Sequence, residues 1–169
     1  RLFPLLEDVL AKAEITWSDI DAIGCGIGPG NFTGIRLTVS AARGLALSLG
    51  IPAIGVSTFE ALAEGLKRPT LTSIDARRDE VYLQFLGIDA PISPTLVPVE
   101  SIPEDFHVPG VTCAGYLNTR IAQDIGGTAG QSPLSVPTAI AQIAARRIDT
   151  ETHRPSPLYI RTPDAAPSK

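Results

Sequence analysis

Residues 24–40 read GCGIGPGNFTGIRLTVS, and no other stretch limits the fold as tightly. An apolar run from Ile20 to Ile27 passes through Gly28, Pro29, Gly30 and Asn31 into a helical pattern that continues to about Leu49. The run reads as a buried strand and the turn after it as a helix start, with Asn31 or Thr33 free to cap the first turn. Gly50 stands where a C-terminal glycine cap belongs, and Pro52 prevents continuation. IPAIGVS (51–57) then reads as a second short strand, and Ser57 or Thr58 caps the helix FEALAEGLK. Ahead of all this, Leu2, Leu5, Leu6, Val9, Leu10 and Ala13 recur at helical spacing opposite Glu7, Asp8 and Lys12. Helix, strand, helix, strand, helix predicts an α/β fold with largely parallel pairing.

After Pro69 the pattern changes. LTSIDARRDEVYLQFLG reads as two strands around a polar turn, Asp75 to Glu80. Proline-spaced segments follow, then a strand-like VTCAG, a helix starting near Leu117 and another from Thr138 to about Ile148. The division predicts a first lobe over residues 1–68 and a second over 69–169, whose Pro-rich tail is expected to end in disorder.

The chemistry carried by these segments is sparse. With 18 acidic and 14 basic residues the net charge is −4, which argues against a general grip on nucleic acid; any RNA is expected to be reached through a partner. Cys25 and Cys113 lie far apart in apolar surroundings and read as buried free thiols. No apolar run reaches the roughly 20 residues of a membrane span, so a cytoplasmic protein is expected. The turn at Gly28, Gly30, Asn31 and Thr33 offers the geometry of a phosphate loop. It lacks the Walker lysine and hydroxyl, however, and Pro29 removes one donor, which favours a structural strand-to-helix turn. Asp75 and Arg77, in DARRDE, either face a cleft between lobes or belong to a charged hairpin turn. His107 and His153 are far apart in the sequence and form no H-E-x-x-H pair, and no G-x-S-x-G elbow is present. No catalytic residue and no metal ligand set is assigned.

The helix after the turn is more informative. Gly34, Thr38, Ala41, Ala42, Leu45 and Ala46 leave much of its surface small, and Arg36 and Arg43 fall seven apart on about the same face. It is either tucked against its own sheet or built for helix–helix docking with basic anchors.

Read together, Gly26 to Ala63, SIDARRDEVYLQ (73–84) and PLYIR (157–161) closely resemble the TsaB (YeaZ) family, in order and spacing, over essentially the whole chain. The resemblance implies a two-lobed actin/Hsp70/sugar-kinase-like (ribonuclease H-like) fold. It also implies a part in making the threonylcarbamoyl modification of the adenosine beside the anticodon of ANN-decoding tRNAs. In that system TsaB is a non-catalytic partner of its paralogue TsaD, which carries the metal, and an ATPase, TsaE, joins the complex. ATP is therefore expected at the level of the complex, with no cofactor held stably by this chain. Family members pair with TsaD, or with a second copy, through first-lobe helices. Mapped here, these are Leu2 to Ala13 and Phe32 to Leu49, with Leu2, Leu5, Leu6, Val9, Ile35, Arg36, Val39, Ala42 and Arg43 as interface candidates. The two histidines four apart that mark TsaD are missing, which fits TsaB and discounts the superfamily's "glycoprotease-like" label.

Two competing classes are a nucleotide-dependent phosphotransferase or hydrolase using the interlobe cleft and, third, a peptidase. The family pattern also begins with an (I/L)xxDTS-like strand and two more strands before the first helix. This chain has no methionine and opens directly in a helical pattern, so those strands are expected to precede residue 1 in the natural protein.

Overall fold

Residues 2–88, 92–151 and 153–160 are described by a computed structural model of the chain. The elements run α1 (Leu2–Lys12), β1 (Ile23–Gly28), α2 (Phe32–Leu49), β2 (Ala53–Ser57), α3 (Thr58–Ala63), β3 (Thr70–Asp75), β4 (Glu80–Leu86), β5 (Thr95–Pro98), β6 (Thr112–Gly115), α4 (Asn118–Ile125), β7 (Thr128–Ala129) and α5 (Val136–Ala145). The local signals act as expected where they are polar. Asn31 accepts from the Gly34 amide at 2.8 Å to start α2, and Gly50 ends it in a left-handed conformation at φ 71°. Ser57 and Glu60 form a reciprocal capping box at the start of α3. That helix stops at Ala63, short of the sequence expectation of Lys67, with Gly65 at φ 78° just beyond it.

Two sheets result. In the first, β1 and β2 pair in parallel, with Cys25 opposite Gly55. The second has five strands in the order β5-β4-β3-β6-β7: β3–β4 and β4–β5 are antiparallel, β3–β6 and β6–β7 parallel. Its core gathers Leu71, Val81, Leu83 and Phe85 from the strands and Ile121 and Ile125 from α4, and Phe85 stacks on Phe106 at 5.5 Å. The β3–β4 hairpin, read from the sequence as a polar turn, places Arg77, Arg78 and Asp79 in succession at positive φ of 65°, 54° and 59°.

The chain does not fold strictly from one sheet to the next. Helix α5 returns from the far side of the second sheet to cover β1 and β2 on the face opposite α2: Ile143 and Ala144 pack with Ile54 and Val56. The glycines of β1 permit this. A Cβ on Gly24 would stand 2.8 Å from the Ala144 methyl, so α5 lies on the strand at a distance that any larger residue would forbid. The segment after α5 then crosses to the α2 face. Pro155 sits over Gly55, and the Leu158 amide donates to the Ile27 carbonyl at 2.8 Å. The expected disorder at the end of the tail falls on residues 161–169, outside the described residues.

Candidate functional site

On α2 the helical phase sorts the candidates. Val39, Ala42 and Ala46 are buried, and Val39 and Ala42 pack with Cys25 while Ile35, half-buried, fills in beside them. These small and branched residues are the face that lets α2 lie on its own sheet. Leu37, 63% exposed, lies opposite this face and Leu47, 79% exposed, on its flank, with Gly44 facing open space between them. Neither leucine was singled out from the sequence. The phase of Val39, Ala42 and Ala46 was the signal that could have found them, since residues off that stripe turn away from the sheet.

Arg36 and Arg43 are both exposed and differ in what they touch. Arg36 Nε–H donates to the Tyr159 hydroxyl at 2.8 Å, and its guanidinium lies 3.7 Å above the Phe32 ring. Arg43 borders a groove of about 510 Å³ with Leu47, Pro52 and Arg154.

Helix α1 holds the remaining candidates. Leu2 and Leu6 are half-buried, Leu5 and Val9 are 59% and 55% exposed, and no residue of the helix is buried. Phe3 adds a further exposed ring at 49%. A helix of 11 residues is marginal by itself in water. An apolar stripe so little covered is the signature of a face that gains by burial.

The loop and cleft candidates do not converge on one cavity. Gly28 takes φ 98°, and a Cβ there would meet Ile35 Cδ1 at 2.7 Å and the Leu158 carbonyl oxygen at 3.5 Å. The surroundings of this glycine are thus a methyl and a carbonyl, neither of which attracts an anion. Asn31 is occupied in capping α2, Gly30 and Thr33 are exposed, and the Pro29 carbonyl accepts from the Thr58 hydroxyl at 3.0 Å. Asp75 and Arg77 line a separate polar basin of about 400 Å³ at the C-terminal ends of β3 and β6, with Asp79, Tyr116, Leu117 and Arg120. Asp75 accepts from the Arg77 amide at 2.8 Å and pairs loosely with its guanidinium at 3.8 Å, in a setting where water screens the pair. None of residues 28–33 borders this basin. Leu117, at φ 53°, joins Arg77, Arg78 and Asp79 around it, so four non-glycine left-handed residues share one rim.

The other titratable groups have structural surroundings. Burial pushes both Cys25 and Cys113 up to about 11, leaving them neutral thiols. Burial alone would raise Glu60, but the Arg147 guanidinium and the Ser57 amide and hydroxyl outweigh it and hold the carboxyl below its ordinary range. Among the described residues, no group of three or more His, Cys, Asp or Glu is placed to hold a metal ion, and no helix is long and apolar enough to cross a membrane.

Comparison with known proteins bears on this arrangement. A family model described as "TsaD: tRNA N6-adenosine threonylcarbamoyltransferase" matches residues 1–90. The tRNA threonylcarbamoyladenosine biosynthesis protein TsaB of Escherichia coli (strain K12) is 42% identical over 87 residues, covering 48% of this chain and 38% of that protein. The chain spans about two fifths of the length of the curated TsaB relatives it matches, 38% and 41% for the E. coli and Buchnera aphidicola (Schizaphis graminum) proteins. An uncharacterized protein of Mycobacterium tuberculosis (strain ATCC 25618 / H37Rv) is 31% identical across 99% of this chain and 76% of its own length. A crystal structure of an uncharacterized Pseudomonas aeruginosa protein, described as similar to peptidase YEAZ, superposes with a TM-score of 0.70 at 29% identity. That match covers 95% of this chain and 83% of the other.

Proposed function

This chain belongs to the TsaB (YeaZ) family, and from that premise we propose that it serves tRNA threonylcarbamoyladenosine biosynthesis as a non-catalytic scaffold. The observation that carries this reading is the apolar surface left on two first-lobe helices: Phe3, Leu5 and Val9 on α1, and Leu37 and Leu47 on α2. Burying such surface returns roughly 25 cal/mol per Å², enough for a few large side chains to dominate an interface. The occupant in this reading is a TsaD-type paralogue, or a second copy of the chain when it is alone, and a TsaE-type ATPase joins the assembly. The chemistry, the metal and any ATP then belong to the partners, tRNA is met only in the complex, and the whole works in the cytoplasm.

Val9→Glu and Leu47→Glu, in a full-length protein, test it. Each places a charge on the apolar face without touching the core. Association with the TsaD-type paralogue, measured by sedimentation velocity, should weaken by at least about 30-fold, the scale of a central interface residue. Reconstituted tRNA modification should fall with it. Folded variants that associate and support modification as the wild type does would overturn the docking assignment. Undiminished modification with this subunit left out would overturn the scaffold role.

A further inference from the structure

The α2 face is held at its N-terminal end by a contact with the segment that follows α5. After α5, residues 155–160 run back over the first sheet without regular secondary structure, yet they are fixed at three points. Pro155 is buried against Gly55, the Leu158 amide donates to the Ile27 carbonyl at 2.8 Å, and Tyr159 closes on the first turn of α2. At that third point the Tyr159 and Phe32 rings lie 5.0 Å apart, tilted by 36°. Arg36, one turn on from Phe32, stacks on the Phe32 ring at 3.7 Å and donates through Nε to the Tyr159 hydroxyl at 2.8 Å. Two side chains one turn apart on α2 and a third 123 positions beyond Arg36 therefore form one clasp.

The clasp is half in water. Tyr159 is 43% exposed and Arg36 is exposed, so the cluster adds little to the buried core. What it does is local. A long cationic side chain next to Leu37 is pinned flat along the helix, and the first turn of α2 is tied to the strand beneath it through the tail. Apart from the clasp, that turn is held by the Asn31 cap and the half-buried Ile35.

We propose that Tyr159 is a positioning residue for the α2 docking face: through Arg36 and Phe32 it locks the first turn of α2 in the pose a partner meets. The inference rests on the reading of α2 as a docking helix, but the lock itself is measurable without a partner. Hydrogen–deuterium exchange of the folded protein is the first readout. Tyr159→Ala should speed amide exchange over residues 32–38 by about tenfold, the weight of one charge-assisted hydrogen bond with its ring contact. The amides of β3 and β4 should be unaffected. Arg36→Ala should do the same, and the effect of the double variant should fall short of the sum of the two single ones, because the Arg36–Tyr159 hydrogen bond is lost in both. Tyr159→Phe keeps the ring and should restore part of the protection. Sedimentation velocity with the TsaD-type paralogue should show Tyr159→Ala weakening association at an unchanged melting temperature.

Exchange over 32–38 within twofold of wild type in both single variants would overturn the proposal. So would a uniform rise across the whole molecule, which would make Tyr159 a general stabiliser. So would selective fraying of α2 with association unchanged, in a protein whose association Leu47→Glu abolishes. The docking reading fails separately, and visibly, if Leu47→Glu leaves association intact.

Discussion

Glu60 joins two parts of the fold through one carboxylate, and its removal gives a quantitative test. Its Oε2 accepts from both the amide and the hydroxyl of Ser57 at 2.8 Å, closing the capping box of α3. Its Oε1 accepts from Arg147, just past the end of α5, so α3 and α5 are tied at the same side chain. Glu60→Ala removes the acceptor of the Ser57 amide, on a residue that is itself buried, and leaves a half-buried guanidinium without its carboxylate. Leaving the buried Ser57 amide without its acceptor costs about 1 kcal/mol and loss of the charge-assisted hydrogen bond about 2, for a total near 3 kcal/mol. For a domain of this size that lowers the melting temperature by about 9 °C.

The pH dependence follows from the same contacts. The folded-state carboxyl is held below its ordinary value of 4.5, so ionised Glu60 favours the folded state. The contribution is fully present above 4.5 and disappears as pH falls through the depressed folded-state value. Urea titrations from pH 7 down to pH 3 should therefore show the wild type losing stability that Glu60→Gln no longer has to lose, so the gap between the two curves narrows as the pH falls below 4.5. A Glu60→Ala variant within 0.5 kcal/mol of wild type at pH 7, a change of the size an ordinary surface substitution makes, would refute the reasoning. So would parallel pH profiles for wild type and Glu60→Gln.

Two more outcomes are expected. Gly115→Ala should be destabilising by at least about 3 kcal/mol, seen as a lowered urea midpoint at constant m, because the new methyl would stand 2.1 Å from the Ser73 carbonyl oxygen at a backbone φ of 100°. Cys25 and Cys113, buried and pushed up to about 11, should resist a thiol reagent at pH 8 in the folded protein and both react once urea unfolds it.

The parts of the fold legible in the sequence are those whose causes are local. Asn31 caps within three residues, Gly50 needs only its own φ, and the alternation of EVYLQFL declares a strand with Val81, Leu83 and Phe85 inward. Strand β5 and the short β7 were hidden because proline-spaced and glycine-rich segments pair only when a neighbouring strand supplies the partner groups. The strap at 155–160 was hidden for the same reason, its hydrogen bonds being made to Ile27 and Arg36. Helix α5 begins at Val136, two residues before the sequence expectation, because Pro137 sits in its first turn, where a missing N–H costs nothing. At the candidate site, hydrophobicity picked out α1 and α2 as helices with surface to spare. Hydrophobicity alone did not separate Val39 and Ala42, turned onto the sheet, from Leu37 and Leu47, turned outward, because all four are apolar; only their helical phase carries the distinction.

The return of α5 and the strap to the first sheet also governs how the chain is made. Strands β1 and β2 are covered on one face by α2, which lies between them in the chain, but on the other by α5, synthesised well after both. During translation the first half leaves the ribosome with Ile54 and Val56 still uncovered, and it stays so until the last helix is out. Closure of this sheet is thus a late, long-range event, slow in the manner of non-local topologies. Until then that bare apolar face is the part of the nascent chain most open to aggregation.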